Sequence, residues 1–306
     1  MERYVNIMLD EGFKTVFGVK QVAIDFINAA LLGERQVKDL TYLDKEIQPE
    51  VVEQRTVIFD LLCEDVDGSK FILEMQNCPQ RYFFNRGFYY LCRMVSRQGK
   101  TGRDWQYSLL PVYGIYLLNF SLPELHNWRT DVILADEATG KTFGEVKLKQ
   151  IYLSFDVFNL TKEECKTPLE NTIYILKNMN LFDMSPFKEK EDAFRRLLDV
   201  ANLNAMTDHQ RAVYEENLKI YRDWHATTEY AVEKAKEKGI KIGKAEGIEL
   251  GEAKKQRFIA AKMKKQGVAI ETIAEFTELS VKEIEEFLIN HKIIHQPGCY
   301  VLKQPG

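Results

Sequence analysis

Asp60, Glu64, Glu74 and Gln76 are the polar exceptions in an otherwise apolar stretch, RTVIFDLLCEDVDGSKFILEMQ, running from Arg55 to Gln76. Side chains alternate along a strand, so residues of like parity in each run share a face. Which faces match across the pair depends on the loop. A two-residue loop at Asp67-Gly68 sets Asp60 opposite Met75, whereas a three-residue loop of Val66, Asp67 and Gly68 sets Asp60 opposite Glu74. The longer loop needs a positive φ at its last position, and glycine supplies that. The spacing therefore favours Asp60, Glu74 and Gln76 on one face. Two carboxylates one strand spacing apart repel, and burying them in an apolar sheet is costly unless a cation offsets the charge. A divalent ion would do so. The plain alternative is an edge hairpin with a wet face, on which Asp and Glu are simply solvated.

A second set of charges follows the hairpin. Asn77, Cys78 and Pro79 end the strand, and QRYFFNRGFYYLCRMVSRQG then reads as a long helix with Arg81, Arg86, Arg93 and Arg97 among its aromatic residues. Arg86, Arg93 and Arg97 lie near one helix face by spacing. That face can meet phosphates, or pair with the hairpin carboxylates. His291, His295 and Cys299 have ligand-like spacing, but they stand in a terminal tail with no clear fourth ligand and are set aside.

These groups need a scaffold, and 306 residues, 45% hydrophobic and 29% charged, can bury a substantial core. The N-terminus, MERYVNIMLDEGF, carries acids where a signal peptide is apolar, and no run is long enough to span a bilayer, so a cytoplasmic protein is expected. Five cysteines without a CxxC pair fit free thiols. The net charge of −4 is uneven: residues 232–266 hold eleven Lys or Arg against five Glu, which leaves the remainder at about −10. Such a basic segment is either a polyanion-facing arm or a solvated helix face.

Periodicity predicts one helix over 11–33, with Phe13, Phe17, Ile24, Ile27 and Leu31 on its buried stripe and Gly33 as its stop. A first strand over 37–43 leads through a polar stretch with Pro49 into the hairpin. Beyond the arginine helix, PVYGIYLLNF from Pro111 reads as a buried strand. Further strands are expected at 131–135 and 144–155, and helices at 168–180, 188–202 and 208–238. Gly239, Gly243, Gly247 and Gly251 recur every fourth residue, each costing a helix about 1 kcal/mol relative to alanine. That segment is expected to be a linker or a helix that needs a partner chain. In the last unit Gly267 ends a helix, Ile270 to Phe276 form a second, and Ser280 with Glu283 caps a third. The pattern is that of a helix-turn-helix, but Glu283, Glu285 and Glu286 suit a structural three-helix cap better than a phosphate-lined groove.

The combination of FKTVFG at 13–18, VIFDLLCED, ILEMQN, the RGFYY helix, LLPVYGIYLLNF, the glycine-spaced helix and the terminal ELSVKEIEEF resembles the PD-(D/E)XK nuclease superfamily. More closely, it is similar to the Rpn family of recombination-promoting nucleases and transposases. The resemblance implies an α/β fold: a mixed sheet flanked by helices in residues 1–225, a Gly-spaced helical linker at 226–256, and a small three-helix unit with its tail at 257–306. It also implies that Asp60 and Glu74 ligate Mg²⁺ or Mn²⁺ and that Gln76 stands where the superfamily has lysine. An acid of the first helix region, Asp10 or Glu11, would assist, and Arg86 is a further accessory candidate. Phe59 replaces the proline of the motif name, which contributes no ligand. The activity implied is metal-dependent DNA cleavage of low sequence specificity, in a mobile-element or recombination setting. The alternative is a nuclease-like protein that binds DNA, or assembles through residues 230–256, without useful activity.

Overall fold

The computed structural model describes residues 3–48, 56–102, 105–182 and 192–294, with side chains described as far as residue 288. Pro49, Arg55, the start of the 188–202 helix, His295 and Cys299 lie outside them. By packing, the chain divides into two compact units, Met1–Arg222 and Asp223–Gly306.

The first unit is built on a six-stranded mixed sheet. Its strands are β1 (Leu40–Tyr42), β4 (Leu61–Asp65), β5 (Lys70–Gln76), β6 (Val112–Leu118), β7 (Arg129–Ile133) and β8 (Leu148–Ser154), in the order β1-β4-β5-β6-β8-β7. The central β5, β6 and β8 are parallel; β1, β4 and β7 pair antiparallel to their neighbours. Parallel strands are covered on both faces, and β6 accordingly buries every residue from Val112 to Leu118. A separate two-stranded ladder joins β2 (Glu46–Ile47) to β3 (Val57–Ile58).

One face of the sheet, with Phe71, Leu73 and Met75 of β5, packs on α1 (Asp10–Phe17), α2 (Lys20–Leu31), α4 (Pro168–Asn178) and α5 (Asp192–Val200). The other face, with Ile72, Tyr116 and Tyr152, packs on α3 (Phe83–Ser96) through Phe83, Leu91 and Met94. The helix expected over 11–33 is two helices, broken at Gly18. A Cβ there would stand 2.4 Å from the carbonyl oxygen of Lys14, so the turn admits only glycine without adjustment. Gly87 has a similar role on α3: a Cβ would come within 2.9 Å of the Tyr116 hydroxyl, and its absence lets the helix lie close to the sheet.

The helix α6 (Asp208–Lys265) begins in the first unit and ends in the second. It joins the helix expected over 208–238 to the glycine-spaced segment, read as a linker or a helix that needs a partner chain, in one unbroken helix through all four glycines. Every residue from 231 to 252 is exposed, and a Cβ on any of those glycines would meet open space. Within the second unit Ala260 of α6 packs on Ile273 of α7 (Ile270–Thr277) and Ile284 of α8 (Val281–Ile294). The expected capping box is formed: Glu283 accepts from the Ser280 amide at 2.9 Å, and the Glu283 amide donates to Ser280 Oγ at 3.3 Å. Among the described residues no helix is long and apolar enough to cross a membrane.

Candidate active site

The hairpin takes the longer loop. Leu61 pairs with Leu73 and Glu64 with Lys70; Val66, Asp67 and Gly68 form the turn, with Gly68 at φ +83°. The Asp65 side chain secures it, accepting from the amides of Asp67 at 3.0 Å and Ser69 at 2.9 Å. Carried one step past Leu61, this register brings Asp60 across from Glu74.

Asp60 does not stand on the face as Glu74 does, however. The apolar run 57–65 is not one strand: Val57 and Ile58 leave the sheet to pair with β2, and the Phe59 amide bonds to the Lys45 carbonyl at 2.9 Å. The chain therefore bends at Asp60. On β5 the Lys70 amide points toward the β6 side, to Pro111 O, so by alternation the Met75 amide points toward β4, which has already ended. The Asp60 carboxylate takes the vacant place, accepting from Met75 N at 2.9 Å. It thus caps the strand edge between the two layers.

Glu74 is nearly fully buried, at 3% exposure, on the α3 face. Burial first, and then the charge of Asp60, push its carboxyl up to about 8, with Arg86 opposing. The guanidinium of Arg86 lies 3.7 Å from Glu74 Oε2 and is steadied by Gln80 and by the ring of Tyr90, 5.9 Å away. Asp60 is also raised, by burial and by Asp10, against the pull of its Met75 bond and of Lys14 and Arg86. The Tyr90 hydroxyl is raised by burial and by Glu74. Of the two readings open for Arg86, pairing with a hairpin carboxylate is the one observed.

The remaining candidates separate. Gln76 lies two residues beyond Glu74, and so on the same face, at the half-buried end of β5, its carbonyl held by the Asn119 amide at 2.9 Å. Glu64 is paired with Lys70 near the turn, away from this end of the strand. Asp10 opens α1, pairs with Lys14, and lines with Asp60 a recess of about 110 Å³ that also includes Leu9, Phe13, Met75 and Asn77. Glu11 is not part of that lining.

The family model described as PD-(D/E)XK nuclease family transposase matches residues 7–231. The chain belongs to this family. No curated protein and no solved structure matches it. The match takes in every strand of the sheet and α1 to α5, and stops within α6 before the spaced glycines.

PD-(D/E)XK nucleases generally use divalent metals, and the donors here suit one. Among the described residues no three His, Cys, Asp or Glu side chains group in ligating positions. What meets at this end of β5 is two carboxylates whose affinity for protons is raised, by burial first, and the side-chain amides of Gln76, at the strand's end, and Asn77, in the recess with Asp60. One of these amides is not among the residues that the sequence pattern singles out for chemistry. Asn77, which reads only as the end of the strand, donates Nδ2 to the Met8 carbonyl at 2.5 Å and leaves Oδ1 buried without a hydrogen-bond partner. Its one sequence signal is an amide directly after Gln76. A small, hard ion bound through one or two carboxylates, with water and substrate phosphate completing its shell, matches this set.

Proposed function

We propose that this PD-(D/E)XK family protein is a divalent-metal-dependent DNA endonuclease of low sequence specificity, acting in recombination or in a mobile element. The observation that carries the reading is the buried Glu74 facing the Asp60 bend, with the Arg86 guanidinium 3.7 Å away. Asp60 and Glu74 would hold Mg²⁺ or Mn²⁺. Such an ion neutralises charge on the phosphodiester and activates water. Asp60 is fixed by the Met75 amide, so its orientation does not depend on the ion. Gln76 orients the attacking water through its amide, being unable to provide the charge of a lysine. Arg86 receives a phosphate oxygen, for which its planar fork is suited. Asp10, across the recess, is the accessory acid. In this reading residues 1–225 carry the chemistry, 226–256 link or pair chains, and 257–306 form a structural cap.

A plasmid-nicking assay with Mg²⁺ or Mn²⁺ against EDTA tests this, with Asp60→Asn alongside. Ion-dependent nicking lost in the variant supports it, and nicking undiminished in a folded Asp60→Asn protein refutes the site. The neutral Gln76 favours a second reading, a nuclease-like DNA binder without turnover. Salt-dependent DNA binding with no cleavage under any ion would select it.

A further inference from the structure

The first turns of α3 carry more aromatic surface into solvent than the core requires. Tyr82 is 63% exposed and Tyr89 is 39% exposed. Tyr82 is the residue just before the first turn of α3 and Tyr89 lies in its second turn, seven residues on and roughly 10 Å along the axis. Arg86 lies between them in sequence, four residues after Tyr82 and three before Tyr89, and its guanidinium is the one 3.7 Å from Glu74. The two exposed rings therefore flank in sequence the arginine that reaches Glu74. Arg81 rests over the Tyr82 ring at 5.4 Å, and Tyr89 tilts against Tyr90 at 6.4 Å.

Charge sets this segment apart as well. After Glu74 the sequence has no Asp or Glu through Gly102, while Arg81, Arg97 and Lys100 are exposed and Arg86 half-buried, Arg93 being buried against the Gln48 carbonyl, in a chain of net charge −4. A positively charged strip with exposed rings has a definite complement. Phosphates meet the arginines, and bases stack on the rings, which only unpaired bases can do because a duplex hides their faces.

We propose that this side of α3 is a stacking rail for single-stranded DNA, on which an unpaired segment lies with bases on Tyr82 and Tyr89 while its backbone passes Arg86 toward the carboxylates. The substrate is then a strand with unpaired nucleotides beside the cleaved bond, such as a flap, gap or melted end. This inference rests on the nuclease reading for what happens at Glu74, but the rail itself is a binding surface and is tested without cleavage.

In EDTA, with the full chain, fluorescence anisotropy compares a short labelled single strand with the duplex of the same sequence. The variants are Tyr82→Leu/Tyr89→Leu, which keeps bulk but not a stacking face, and Tyr82→Phe/Tyr89→Phe, which keeps the face. A strand carrying 2-aminopurine reports stacking directly by quenching. The expected results are tighter binding of the single strand, a loss of roughly five- to 150-fold for each ring replaced by leucine, retention in the phenylalanine variant, and quenching that disappears with leucine. Equal affinity for single strand and duplex, unchanged by leucine, overturns the rail. So does a leucine variant whose sole change is from oligomer to monomer in size-exclusion chromatography, since the face would then join copies of the chain. Nicking is scored separately. A wild type that cleaves plasmid but shows no single-strand preference refutes the rail alone, while a single-strand preference lost with leucine, and no cleavage of plasmid or of a flap or gapped duplex with Mg²⁺ or Mn²⁺, supports the rail and removes the nuclease reading.

Discussion

Two groups of acids on the same sheet, each beside a cation, are treated in opposite ways. Asp131 on β7 meets Arg129 through two bonds of 2.8 Å and Lys149 at 2.9 Å, and Lys149 also reaches Glu34 at 2.6 Å. Partial burial raises its carboxyl, but the bonds from Arg129 and Lys149 outweigh that and leave it below the ordinary value. Glu74 is far more deeply buried, has one cation at 3.7 Å, and is pushed up to about 8. The first arrangement is complete within the chain. In the second, burial outweighs one distant cation, so Glu74 is undercompensated and keeps its proton at neutral pH unless further positive charge is supplied.

The largest effect expected from this contrast is on chemistry. Asp60→Asn should lower Mg²⁺-dependent nicking by at least about 100-fold, since removing a ligand should cost no less than removing a group that orients one. Asp131→Asn should leave nicking within a few-fold. Rates for both, measured on protein shown folded by circular dichroism, would break the comparison if their order were reversed.

Stability should respond in the reverse sense. Lys149 is 5% exposed and holds two carboxylates, so Lys149→Met should cost about 1–3 kcal/mol in urea unfolding at neutral pH. Glu74→Gln should stabilise there. Glu74 ionises near the ordinary 4.5 when unfolded and near 8 when folded. Between those values the unfolded chain has lost a proton that the folded chain keeps. Its contribution is therefore complete below pH 4.5 and is lost as pH rises to about 8, a change on the order of a few kcal/mol. Unfolding midpoints at about pH 5 and about pH 8.5 should show the wild type weakening more than Glu74→Gln. Mg²⁺ should restore the wild type at the higher pH and not the variant; a slope unchanged by the substitution would remove the undercompensated-charge argument.

The hairpin register is legible in the sequence because loop parity and one glycine decide it. The bend at Asp60 is not. Val57 and Ile58 suit a strand anywhere, and their true partner, Glu46–Ile47, lies in a stretch that reads as polar. Parity arguments hold only while a strand stays in one sheet. The stripe from Phe13 to Leu31 hides the break at Gly18 for a related reason: α1 and α2 face the same core, so the apolar spacing runs on through the turn. Asn77 gives no sequence sign beyond its place after Gln76, because the Met8 carbonyl that positions its side chain is remote in sequence. A helix through the four glycines is among the sequence readings, but propensity, which argues against it, hides that α6 runs unbroken from 208 to 265.

The smallest effect, and the finest test of the contrast, concerns Gln76. If the site is short of positive charge, a lysine at the end of β5 should be accepted, because its ammonium would lie on the face of the undercompensated Glu74. Gln76→Lys should therefore keep nicking within a few-fold of wild type and lower the Glu74 carboxyl from about 8, visible as a flatter loss of stability between pH 4.5 and 8. Gln76→Ala removes the amide without adding charge, so nicking should fall by roughly ten- to 100-fold while that slope stays as in the wild type. Measuring both variants separates the two parts Gln76 can play. If lysine flattened the slope yet abolished nicking, the amide geometry would matter more than local charge. The absent lysine would then mark a site tuned to orient water rather than one merely short of a cation.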